Sequence, residues 1–308
     1  MPALSPKKAL QAERIRELTR ILNGEILSHY YARKEVKDLS AFVGGSRSIR
    51  ERATLSRASV LVVCAVDFVV RDVRRARPDL RVLAPRADSL CPLSAAGTAA
   101  LLRKVKERLP GAILCATPKT LPELTRLCDI IPEEGFPPPF LNPPPSGSRE
   151  RELVFFPELK GADGRVPEAL RDLSPVCRVH AQLERAEAEE LLKTRPGSEL
   201  LANSLCLEEL RDLPCFSGDA DALARRAGES GKGEFIVASE VGLAETLRER
   251  HPEKLFHDPP TEMFCPSMKL VNIKDILAVL EDHASRAVRA AGPPAAPPFA
   301  DDFYDLPR

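Results

Sequence analysis

The chain reads as an α/β protein built on parallel sheets, and three observations lead there. Short apolar runs rich in β-branched residues recur through the 308 residues, each bounded by polar or turn residues. These runs are apolar throughout rather than alternating, the pattern of strands covered on both faces. Helical segments lie between them, which implies crossover connections and strands that run the same way. In such folds function gathers at the carboxyl ends of the strands.

The elements follow in order. Leu10–Leu22 has helical periodicity, with apolar residues at Leu10, Ile15, Leu18 and Leu22. Glu25–Tyr31 is a buried-strand pattern ending in SHYY. Lys34–Val43 predicts a helix broken by Gly44-Gly45-Ser46, and Ile49–Ala58 predicts another. SVLVVCAV (Ser59–Val66) is the strongest buried-strand pattern, followed by Leu80–Pro85, Gly111–Pro118, Leu153–Leu159, Pro175–Ala181, Gly197–Ser204 and Gly233–Gly242. Helices are predicted over Ala95–Leu109, Thr120–Leu127, Glu184–Thr194, Ala220–Ala227 and Leu243–Arg250. Two stretches break the series. Pro132–Arg149 is too rich in proline for a regular element. The Pro/Ala-rich tail from Ala290 is expected to be disordered.

Bulk composition narrows the function classes. Lys plus Arg and Asp plus Glu number 45 each, so the formal charge is zero. No polyanionic partner is called for, and with no Trp and 5% aromatics few platforms exist for stacking bases. No run approaches the ~20 apolar residues of a membrane helix. Met1–Arg16 has no apolar core of a signal peptide, so a cytoplasmic protein is expected. In that reducing compartment the eight cysteines read as core residues, metal ligands or nucleophiles before disulfides.

Cys91, Cys177 and Cys265 are nearly evenly spaced, and each follows a strand-like stretch or a turn. Even spacing suggests one ligand from the same place in each of three similar units. Three thiolates can hold a [4Fe–4S] cluster and leave one iron open, since four is the usual set. Three ordinary buried cysteines is the simpler alternative on spacing alone, because free Cys is among the most buried residue types. Cys64, Cys115, Cys128, Cys206 and Cys215 have no metal spacing; Cys206 with Cys215 could form a redox pair.

The phrases around these cysteines resemble the quinolinate synthase family, in order and over about 250 residues, a specific set where any one phrase would be weak. They are SHYYARKEVKDLSAFVGGS (Ser28–Ser46), SVLVVCAVDFVVRD, RVLAPRADSLCPLS, VCRVHAQL, LLANSLCLEEL, EFIVASEVGLAETLRERHPEKLF and CPSMKLVNIKDILAVLED. The resemblance implies three similar parallel-sheet α/β units around a pseudo-threefold axis. The expected units are 1–100 with an N-terminal helix, 101–190 with the Pro-rich loop 132–149, and 191–285, before a tail over 286–308. It implies a [4Fe–4S] cluster held by Cys91, Cys177 and Cys265 with one open iron. It also implies condensation of iminoaspartate with dihydroxyacetone phosphate to quinolinate in NAD biosynthesis, and functional coupling to L-aspartate oxidase. By the same resemblance Tyr31 and Glu240 are candidate catalytic residues, and His29, Ser46 and Lys269 candidate substrate contacts. Gly242 and Met268 match as well, and His180 is present in its phrase.

Several family positions are replaced. The family's HPE reads Asn203-Ser204-Leu205, and neither Asn nor Leu can serve as a general base near neutral pH. Its YVNT reads Cys115-Ala116-Thr117-Pro118. Its CTSSNA falls near Ile131–Phe136, inside the Pro-rich loop. Its phosphate-contacting GST reads Gly218-Asp219-Ala220, where a carboxylate repels phosphate. Gly45 stands for an Asp before Ser46, and Asp67 and Arg71 replace a His and a Glu. Two alternatives therefore stay open: a related iron–sulfur dehydratase or transferase on another small molecule, and a non-catalytic cluster-binding partner protein.

Overall fold

All pairings between named strands are parallel, as uninterrupted apolar runs dictate when both faces are covered. The computed structural model describes residues 5–132 and 152–291. The expectations for most of the Pro-rich loop and for the tail beyond 291 lie outside the described residues. The chain begins with α1 (Pro6–Ile21), β1 (Gly24–His29), α2 (Lys34–Lys37), β2 (Phe42–Gly44), α3 (Ser46–Leu55), β3 (Val60–Cys64), α4 (Asp67–Ala76) and β4 (Arg81–Leu83). It continues with α5 (Pro92–Ala96), α6 (Ala99–Arg108), β5 (Ile113–Ala116), α7 (Pro122–Thr125) and β6 (Leu153–Phe156). Then come α8 (Arg185–Thr194), β7 (Glu199–Asn203), β8 (Cys215–Gly218), α9 (Ala220–Glu229), β9 (Glu234–Ala238), α10 (Val241–Arg250), β10 (Leu255–His257) and α11 (Ile273–Ala291).

The same strand order recurs. The first sheet runs β2-β1-β3-β4 and the last β8-β7-β9-β10, each with its first strand between its second and third. The middle sheet is an abbreviated copy. β5 pairs with β6 on one side and makes a single parallel bridge through Ile130 on the other. In each unit the order reverses at the first strand, which opens a crevice at the carboxyl ends.

Side chains alternate between two cores along each central strand. Leu27, Leu61 and Val63 face a core shared with Leu201, Phe235 and Val237 of the last sheet, filled between them by α3, α4, α9 and α10. Ile26, Val60, Val62 and Cys64 face the opposite way, against Ile15 and Leu18 of α1 and Ile276 and Leu280 of α11. Lys37 ties the first and last units together, donating to the Gly242 carbonyl (3.0 Å) and Thr246 Oγ1 (3.0 Å).

Three sequence expectations give way. The helix expected over Lys34–Val43 stops at Lys37, and Phe42–Gly44 becomes an edge strand against Leu27, Ser28 and His29. The helix expected over Ala95–Leu109 breaks at Gly97-Thr98, where Thr98 Oγ1 accepts from Leu101 N (3.1 Å) and caps a new helix. Pro175–Ala181 is no strand. Ala181 N donates to the Cys177 carbonyl (2.9 Å), closing the backbone on itself in a turn. Helices α4 and α11 and the short strands β8 and β10 were not anticipated. Among the described residues no helix is long and apolar enough to cross a membrane.

Candidate active site

The carboxyl ends of the three sheets open into one cavity of about 620 Å³. His29 and Tyr31 enter it from the end of β1 and Ser46 from the first turn of α3. Asn203 enters from the end of β7 and Asp219 from the end of β8. Cys91, Cys177 and Cys265 line the same cavity, from the segments that follow β4, β6 and β10.

Each cysteine is held by a different device. Asp67, at the start of α4, accepts from the Cys91 backbone N–H (2.8 Å) and is ion-paired with Arg71. Cys177 Sγ lies 3.3 Å from His180 Nδ1. The Cys265 N–H donates to Glu240 Oε1 (3.3 Å). All three thiols are free and half-buried, whereas Cys64, Cys115, Cys128 and Cys206 are fully buried. Burial raises the Cys91 pKa, and it pushes Cys265 up to about 11 with help from Glu240, Cys177 and Cys91. Thiols that perturb one another in this way share a neighbourhood. Both stay protonated at neutral pH until a cation displaces the proton. Among the described residues no three His, Cys, Asp or Glu side chains converge on the position of a single ion. Ligands of one polynuclear cluster bind different metal atoms and so stand farther apart than ligands of one ion. Cys206 and Cys215 are not joined: their thiols turn to different carbonyls, those of Ala238 and Leu210.

Tyr31 is the hub of a buried polar network. Its hydroxyl accepts from Asn203 Nδ2 (3.0 Å), meets Ser239 Oγ at 2.9 Å and lies 3.5 Å from His180 Nε2. Burial holds its pKa well above the usual phenol range, so it is a proton donor at neutral pH. His29 Nδ1 accepts from the Tyr31 N–H (3.2 Å). Burial, with Lys269 and Lys37 nearby, pushes His29 down to about 3, so the ring is neutral and carries its proton on Nε2. His180 is also neutral, pushed down to about 3 by burial first and Lys119 second.

The structure does not bring Glu240 and Lys269 into the cavity lining. They form a buried ion pair (3.0 Å; side chains 0% and 8% exposed) beneath the Cys265 turn. Glu240 Oε2 also accepts from Gly242 N (2.8 Å). A Cβ on Gly242 would stand 2.5 Å from the Tyr30 carbonyl, which explains the glycine in the first turn of α10. Asp67 and Arg71 lie outside the lining too, and Asp67 serves the Cys91 turn instead.

The family model described as Quinolinate synthetase A protein matches residues 13–291. The chain belongs to the quinolinate synthase family. Quinolinate synthase of Methanosarcina barkeri is 29% identical over 273 residues, covering 87% of this chain and 88% of its own. That of Thermodesulfovibrio yellowstonii is 27% identical over 277 residues (88% and 89%), and that of Aquifex aeolicus 27% over 285 residues (89% and 87%).

Against the quinolinate synthase pattern, the replaced positions now have local reasons. Asp219 caps α9, accepting from Ala222 N (2.8 Å), with Arg47 Nε 3.8 Å away. Asp221 accepts from Gly45 N (2.7 Å) and Ser48 N (3.1 Å), joining the last unit to the first. A Cβ at Gly45 would fall 2.5 Å from that carboxylate, so the glycine makes room for Asp221. The positive end of the α9 dipole is therefore already matched by the protein's own carboxylates. Most of the Ile131–Phe136 segment lies outside the described residues.

Sequence reasoning missed several charged side chains of the cavity wall. Lys119 and Glu158 form an ion pair (2.6 Å), and Thr117 Oγ1 donates to Glu158 Oε2 (3.1 Å). Lys160 and Arg211 also line the cavity. None of these carried a signal, because a single charged residue after a strand looks like any solvated loop residue.

Proposed function

We propose that the protein is a [4Fe–4S] quinolinate synthase that condenses iminoaspartate with dihydroxyacetone phosphate, with loss of water and phosphate, in cytoplasmic NAD biosynthesis. One observation carries the reading: Cys91, Cys177 and Cys265, from three separate units, line one cavity with His29, Tyr31 and Ser46. Cys91, Cys177 and Cys265 would hold the cluster, and its open iron supplies a Lewis acid that polarises a substrate oxygen for dehydration. His29 offers a neutral N–H to a substrate oxygen, and its charge state does not change through the physiological range. Tyr31 is the proton donor best supported. Its hydroxyl is kept protonated by burial and is aligned by Asn203 and Ser239. Ser46 supplies a hydroxyl at the first turn of α3. Lys119, half-buried and electrostatically coupled to Cys91 and Cys177, offsets negative charge gathered at the thiolates. Glu240 and Lys269 act as positioning residues that shape the Cys265 turn. Iminoaspartate would come from an oxidase acting on L-aspartate, which is where coupling to L-aspartate oxidase enters.

A second reading, an iron–sulfur dehydratase or transferase on another small acid, is favoured by Asn203. Both ends of its amide are engaged, with Tyr31 and with Leu205 N (3.0 Å), so no base stands there. Anaerobic purification, cluster reconstitution and incubation with iminoaspartate and dihydroxyacetone phosphate separate the two. Quinolinate formation is the expected result. An intact cluster with no quinolinate would favour the second reading or a non-catalytic cluster protein.

A further inference from the structure

On the cavity wall made by the second and third units, two cations converge on one backbone oxygen. Lys160 Nζ and Arg211 Nη2 both donate to the Ser204 carbonyl, the arginine at 3.3 Å, and Arg211 Nη1 donates to the Gly164 carbonyl. Among the described residues neither has a carboxylate within ion-pair distance. The acids that could serve are engaged elsewhere: Glu158 with Lys119 and Thr117, Glu208 with Val166 N, and Asp212 with Arg165. Two positive charges held together in a partly dry wall repel each other. Burial first, and Arg211 second, push the Lys160 amine down to about 8. Such an arrangement is costly unless an anion completes it. Lys160, Arg211, Ser204 and Gly164 all face the cavity, so an anion can reach them. The start of α9, which also lines the cavity, carries Asp219 and Asp221 and disfavours one.

We infer that Lys160 and Arg211 form a seat for an oxyanion, the phosphate or carboxylate of a small substrate, on the wall of the cavity. Charge-assisted donors from a lysine and an arginine are suited to such a group, the arginine through its planar fork. The inference deepens the proposed function by naming where an anionic group sits, and it rests on that reading only for the identity of the ligand.

The test uses the full chain and two probes, inorganic phosphate and malonate. Acetic anhydride labelling of the wild-type protein, read peptide by peptide, should show Lys160 protected by one of them. Protection by phosphate assigns the seat to a phosphate group, and protection by malonate alone assigns it to a carboxylate. Binding of the protecting anion by calorimetry should weaken about tenfold or more in K160M and in R211M, and stay within about threefold of wild type in K160R. Equal labelling of Lys160 with and without both anions, or undiminished binding in K160M and R211M, would overturn the inference. The two ideas fail separately. Protection of Lys160 in a protein that makes no quinolinate removes the proposed function and keeps the seat. Quinolinate formation with undiminished anion binding in both variants does the reverse.

Discussion

The buried pair Glu240–Lys269 offers a direct check on whether these residues position the Cys265 turn or contact substrate. In Lys269→Met the lysine's stem is replaced by a side chain of similar length, and the Glu240 carboxylate, 0% exposed, loses its only ion-pair partner among the described residues. Stranding a buried charge costs about 3–5 kcal/mol. Here the lower end applies, because the N–H groups of Gly242 and Cys265 still donate to the carboxylate. Scaled to a chain of this length, at roughly 1.5–2 °C per kcal/mol, the melting temperature should fall by roughly 4–6 °C. The double variant Lys269→Met with Glu240→Gln removes both charges and keeps an acceptor for Gly242 N. It should recover most of the loss, since replacing a whole buried pair is often near neutral. The assay is urea unfolding of the cluster-free chain by circular dichroism, under reducing conditions, for wild type, both singles and the double, which closes a double-mutant cycle. A coupling of about 1–3 kcal/mol is expected. A loss under about 1 kcal/mol in Lys269→Met, or a double no more stable than that single, would refute the reasoning. If instead Lys269 contacts substrate, the variant keeps its stability and its KM rises.

Three further outcomes follow from the same contacts. Serine at Cys91, Cys177 or Cys265 should take bound iron from about four per chain to a small residue of that, whereas Cys206→Ser and Cys215→Ser should keep it, by iron and sulfide analysis after anaerobic reconstitution. Gly242→Ala drives a Cβ to 2.5 Å from the Tyr30 carbonyl, so urea midpoints should report a loss of about 1–3 kcal/mol. Lys160 binds its proton less tightly when folded, with its pKa moved from 10.5 to about 8. The unfolded chain then holds more protons between those values, so stability should rise with pH across that window by at most about 3 kcal/mol. Wild type should show this rise relative to Lys160→Met, and parallel pH profiles would contradict it.

The parts legible in the sequence share a physical cause. Ser59–Val66 and Gly233–Gly242 were readable as strands because both faces are buried, and their apolar runs appear in the chain itself as β3 and β9. Cys91, Cys177 and Cys265 are nearly evenly spaced in the chain, and they reach one cavity because they lie in the segments that follow β4, β6 and β10. What escaped was set by distant partners. Phe42–Gly44 is a strand only because β1 lies beside it, and Pro175–Ala181 is not one because its backbone bonds to itself. Asp219 looked like an obstacle to phosphate and is also the cap of α9. Glu240 and Lys269 match family positions, yet whether they touch substrate depends on the depth of the Cys265 turn, which no local pattern encodes.

Gly45, Asp221 and Asp219 show why the site's rebuilding should be considered as a set. The carboxylate absent at position 45 has a counterpart at Asp221, which reaches the same backbone from the last unit and needs the glycine for room. With Asp219 it places two acids at the start of α9, where a helix N-terminus would otherwise attract an anion. The proposed seat for an anionic substrate group therefore uses Lys160 and Arg211, which have no acid of their own among the described residues. A change that restored an acid at position 45 alone would strike the Asp221 carboxylate. Exchange at 45 and 221 would have to occur together, and it would leave the number of acids on that side of the cavity unchanged.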